Sequence, residues 1–96
     1  MRVGYHSAVQ KEVNRALRRY DEISIRLGDS FWEEVNRTIA AGAEKPLRFH
    51  PVLGDLRRAN LKRFPYHVLY RVLSDGIRVI ALRHHRQHPR TGLDRR

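Results

Sequence analysis

The hydrophobic period of this chain changes from 3.6 to 2 just past its midpoint, which restricts it to folds with helices first and strands second. Val9, Val13, Ala16, Leu17 and Tyr20 recur at helical spacing, and Phe31, Val35 and Ile39 repeat the pattern. From about Leu56 the alternation is strand-like. Tyr66, Val68, Tyr70 and Val72 take one face, with His67, Leu69, Arg71 and Leu73 on the other. Ser74-Asp75-Gly76 reads as a hairpin turn with a positive φ at Gly76. The return strand Ile77–Arg83 is β-branched and nearly all apolar, as an interior strand is. Pro65 cannot donate to a ladder and marks a bend between strands. With a short strand at Arg2–Tyr5, the order is β-α-α-β-β-β. This is an α+β domain, a helical hairpin packed on a mostly antiparallel sheet.

Local signals set the expected boundaries. Ser7 with Gln10 reads as a capping box opening the first helix, and Gly28 as its stop. Ser30 with Glu33 forms a second capping box, and the second helix runs to Gly42 with Pro46 beyond. Residues 1–96 form one domain, in which the polar tail 90–96 is expected to fray.

Charge separates the halves again. Residues 1–47 hold eight Lys/Arg against seven Asp/Glu, while residues 48–96 hold twelve against three, with five of the six histidines. A net +10 so polarised implies an acidic or polyanionic partner for the second half. The absence of cysteine excludes disulfides and zinc–thiolate sites. No stretch approaches the apolar length of a membrane span, and the first residues lack the apolar core of a signal peptide, so a cytoplasmic location is expected.

The element order, Arg57-Arg58, Arg63-Phe64-Pro65-Tyr66, the Tyr70-Arg71-Val72 strand and the ending His84-x-Arg86-x-x-Pro89 resemble the RelE/ParE superfamily. These are toxins of bacterial type II toxin–antitoxin modules, the plasmid-stabilisation type included. The resemblance spans Val3 to Pro89. It implies a growth-inhibiting toxin held inactive by a cognate antitoxin, whose acidic, partly disordered segment folds across the toxin. RelE-like members cut mRNA on the ribosome without metal; ParE-like members inhibit DNA gyrase and are not nucleases. No cofactor is implied.

Metal-free RNA cleavage requires proton transfer and stabilised charge on phosphorus. Histidine and arginine suit those two tasks. His84 is the expected proton carrier, since it matches the family's histidine, with Arg63 and Arg83 sharing its face if register allows. Arg57, Arg58, Lys62, Arg71, His85 and Arg86 are candidate RNA or target contacts. Gln87 and Thr91-Gly92 stand where close relatives carry a second arginine and an aromatic residue. His84-His85-x-x-His88 has no nearby carboxylate to complete a metal site, so no metal is assigned. Ribosome-dependent mRNA cleavage is the first expectation, gyrase inhibition the second, and a basic nucleic-acid-binding module the third. Tyr66 and Tyr70 are expected in the core, and Trp32 in the core or an interface.

Overall fold

The structure, a computed structural model, describes residues 2–96. Strand β1 (Arg2–Tyr5) leads into α1 (Ala8–Asp21) and α2 (Ile25–Glu44). After a single 3-10 turn at Pro46–Arg48 come β2 (His50–Leu53), β3 (Leu56–Asn60), β4 (Tyr66–Val72) and β5 (Gly76–His84). The strands form one sheet in the order β1-β5-β4-β3-β2, with β1 parallel to β5 and every other pair antiparallel. The architecture is the expected α+β one, with two helices on a mostly antiparallel sheet.

The helical stripes read from the sequence are the ones buried. Val9, Val13 and Ala16 of α1 and Phe31, Val35 and Ile39 of α2 meet Tyr66, Val68, Tyr70, Ile77, Val79 and Leu82 of the sheet. At its centre Phe31 lies 5.0 Å from Tyr20, 5.1 Å from Phe64 and 5.3 Å from Tyr66, centroid to centroid. Such tilted and edge-on contacts let the aromatic rings fill space without stacking their like-charged faces. Tyr66 and Tyr70 are buried there, and the Tyr70 hydroxyl donates to the Pro46 carbonyl at 2.6 Å. Trp32 is exposed instead, on the outer surface of α2.

The helix boundaries differ from expectation. Ser7 is already in helical conformation and makes no side-chain cap; His6 Nδ1 accepts the Ala8 N–H in its place. The first helix ends at Asp21, and α2 is capped by Ser24, whose Oγ accepts the Leu27 N–H at 3.0 Å. Gly28 therefore lies inside α2 rather than ending α1. A Cβ there would stand 1.7 Å from Asp21 Oδ1, so a side chain at this position would displace the Asp21 carboxylate. Similarly, Gly76 does not have a positive φ. It opens β5 against the backbone of Arg2, whose carbonyl oxygen would lie 1.9 Å from a Cβ.

Strand β2 adds an element to the expected order; all four of its residues are exposed, and it occupies the sheet edge. Strand β5 is interior, between β1 and β4. Its pairing with β4 passes from Leu69↔Ala81 to Tyr70↔Val79, so Ile80 is an extra residue and forms a bulge. Ahead of the bulge Ile77 and Val79 face the helices; beyond it Leu82 does, and Ile80 and Ala81 both lie in the small apolar cluster on the outer face.

Residues 90–96 lie against the outer face of the sheet. Leu93 packs on that outer cluster of Leu56, Leu69, Ile80 and Ala81. Arg71 holds the segment, donating from Nε to the Arg95 carbonyl at 2.9 Å and from Nη2 to the Leu93 carbonyl at 2.9 Å. Arg95 crosses to Glu12 of α1 at 2.8 Å and to the Ile80 carbonyl at 3.0 Å. Polar as the segment is, its Arg95 reaches the carbonyl of the buried Ile80.

Candidate functional site

The β5 bulge decides where the candidate side chains point. Because it shifts the alternation by one residue, Arg83 comes to the outer face and His84 to the helix side. The three residues expected to share a site, Arg63, Arg83 and His84, occupy three separate places.

His84 lines a cleft of about 520 Å³ between α1 and the end of β5, with Arg15, Arg19, Tyr66 and Arg86. Its ring stands edge-on to Tyr66 with centroids 5.0 Å apart, and its Nδ1 accepts the Arg86 N–H at 3.1 Å. That bond puts the proton of the neutral imidazole on Nε2, the nitrogen left for the cleft. Gln87 fixes the strand end by accepting the His84 N–H at 2.7 Å. Glu12, the acidic residue of the cleft, is engaged twice, by the Leu82 N–H and by Arg95.

On the outer face Arg83 is only 4% exposed. It donates from Nε to His67 Nε2 at 2.9 Å and from Nη1 to the carbonyls of Pro89 at 2.6 Å and Thr91 at 3.1 Å. Its donors hold the chain's own groups, so it is a structural cation. His67 Nε2 accepts that bond, hence its proton sits on Nδ1, which reaches His85 Nδ1 at 2.9 Å. His85 in turn is neutral with its proton on Nε2, and Arg58 approaches its Nδ1 at 3.4 Å. Burial first, then Arg58 and Arg83 nearby, lowers the His67 pKa to about 3. Burial and the neighbouring Arg58 and His84 also lower that of His85. Burial lowers Arg83 as well.

The remaining candidates are scattered. Arg57 turns to the helix side and donates to the Phe49 carbonyl at 3.2 Å, while Arg58 holds Asn60 Oδ1 at 2.8 Å. Arg71 grips the tail and pairs with Asp55 at 2.8 Å. Lys62 and Arg63 lie in the β3–β4 loop beside a second cavity, described below. His85 and Arg86 are exposed at the end of β5. The outer cluster thus joins Arg58, Arg83 and His85 around a residue the sequence reading passed over, His67, which sits in an apolar strand with no sign of its role. Glu34 was also missed, although it had a signal: it stands three residues after Phe31, on the buried stripe of α2.

Among the described residues, no group of three His, Asp or Glu side chains is placed to hold a metal ion. Nor, among them, is any helix long and apolar enough to cross a membrane.

Two helices on one face of this sheet, with a basic strand end, define the RelE/ParE class of toxin folds. The family model for the ParE toxin of the parDE type II toxin–antitoxin system matches residues 3–89, and the chain belongs to that family. No curated protein matches it with significant similarity. It is a type II toxin, and that family brings an antitoxin as partner.

Proposed function

We propose that this toxin acts in the ParE-like way, by gripping a protein target, DNA gyrase, rather than by cutting RNA. One observation carries the reading. Arg63, Arg83 and His84 point to three different places, and Arg83 is buried with its bonds on the chain's own carbonyls. Cleavage of a phosphodiester needs cations and a proton carrier converging on one point. A protein-binding surface needs no such convergence, and the half-buried Arg58 with the exposed Arg86 at the sheet's end supplies positive charge for one. An antitoxin with an acidic segment, neutralising the toxin in the cytoplasm, complements the same half of the chain.

Ribosome-dependent mRNA cleavage is the second reading, favoured by the His84 cleft, where Nε2 faces a space shared with Arg15, Arg19 and Arg86. A gyrase supercoiling assay with antitoxin-free protein tests the first reading, beside cell-free translation with mapping of new 5′ ends on the message. Inhibited supercoiling with intact message is the expected outcome. Ribosome-dependent cuts abolished by His84→Ala, with supercoiling unaffected, would replace it with the second.

A further inference from the structure

The second cavity, about 420 Å³, opens between α2 and the β3–β4 loop, and the buried Glu34 is among its lining residues. Glu34 is 6% exposed. Its Oε2 accepts the backbone N–H groups of Lys62 and Arg63, which fixes the loop. Its Oε1 is buried and has no hydrogen-bond partner among the described residues. A buried carboxyl oxygen is costly to leave unmatched, so it marks a place where a donor is wanted.

The rim narrows the choice of donor. Arg37, Arg48, Lys62 and Arg63 line the cavity around the one carboxylate, and all four are exposed. Four cations against one anion repel an ammonium or guanidinium ligand. The fitting molecule has a neutral N–H donor at one end and negative charge at the other. Phe49 supplies an apolar wall between the two. A nucleotide meets all three conditions: base N–H groups to Glu34, ring against Phe49, phosphate to the arginines. Guanine suits the floor best. Its N1–H and N2–H₂ are adjacent donors, whereas the N3–H of uracil is flanked by two carbonyls that the carboxylate repels.

We propose that this cavity is a guanine-nucleotide site, separate from the His84 cleft and from the outer histidine cluster. The inference goes beyond the reading of the toxin's target and is tested without reference to it. The ligand is a free guanine nucleotide or a guanine within a single strand, and both present the same chemistry.

Calorimetric titration of the whole protein with 5′-GMP, 5′-UMP, guanosine and inorganic phosphate separates the parts. GMP is expected to bind at least about tenfold tighter than UMP and tighter than phosphate. Glu34→Gln keeps an oxygen for the Lys62 and Arg63 amides but turns the Oε1 position into a donor. It should erase the preference for GMP over UMP. Should that variant fail to fold, Arg48→Gln on the rim is the alternative, weakening GMP while leaving guanosine unchanged. A tetranucleotide with one guanine binding more tightly than GMP assigns the site to a strand; weaker binding assigns it to the free nucleotide. GMP held no better than phosphate, a guanine preference that survives Glu34→Gln, or no binding at millimolar GMP overturns the proposal.

Discussion

The two faces of the sheet are held by different forces. Against the helices, Phe31, Tyr20, Phe64 and Tyr66 pack ring to ring within a large apolar cluster. The outer face has only Leu56, Leu69, Ile80, Ala81 and Leu93, and its cohesion comes from arginines donating to carbonyls and from a histidine pair. One face follows hydrophobic area, which is indifferent to pH. The other follows directed bonds from cations, which depend on every partner being in place. The difference teaches that a net +10 does not measure the charge offered to a partner, since Arg71, Arg83 and Arg95 are engaged within the fold.

Removing the central ring breaks the comparison at its strongest point. Phe31→Ala should cost about 3–5 kcal/mol, a large share of the stability of a domain of this size and a large drop in its urea midpoint. The outer face should yield less to its own worst substitution. Arg83→Met leaves His67 Nε2 and the Pro89 and Thr91 carbonyls without their donor, at about 2–3 kcal/mol. Hydrogen exchange should then quicken at Thr91, Leu93 and Arg95 while the helix amides stay protected; uniform quickening would mean the faces are not separable.

Acid sharpens the contrast. His67 has a folded pKa lowered to about 3 against an ordinary 6.5, so the unfolded chain takes up the proton first. The stability it confers is full above pH 6.5 and falls as pH drops toward 3, by up to about 1.4 kcal/mol per unit. His85 contributes with the same sign. Melts from pH 7 to 4 should show this slope, and His67→Asn should flatten it. A slope unchanged in that variant would place the acid sensitivity elsewhere. The smallest effect belongs to the exposed pair Arg2–Asp75, at 3.3 Å. Arg2→Ala should change stability by less than about 0.5 kcal/mol.

The helix-side face was legible in the sequence because its apolar residues repeat at 3.6 and then at 2. The helix ends were not: Ser7, Ser24 and Ser30 all offer a hydroxyl, and only Ser24, in extended conformation, turns its own to the helix by accepting the Leu27 N–H. Strand β2 escaped notice because nothing in it is buried. The family and the α+β order could be read from the ends of the strands, but the grouping of Arg63, Arg83 and His84 could not. The run Ile77–Leu82 is apolar at every position but Arg78, so it carries no alternation from which a bulge could be inferred.

That bulge at Ile80 works as a frameshift in the order of faces rather than in the reading of codons. Upstream of it nothing moves; downstream, one residue of difference decides whether Arg83 or His84 looks toward the helices. A chain of the same sequence that took Ile80 into the ladder would exchange the chemistry of its two surfaces at the sheet's end, whereas deleting Ile80 removes the bulge and leaves Arg83 and His84 on their present faces. A toxin one residue shorter in this strand can therefore present the same faces, and an alignment that ignores that single-residue gap will equate residues lying on opposite sides of the sheet.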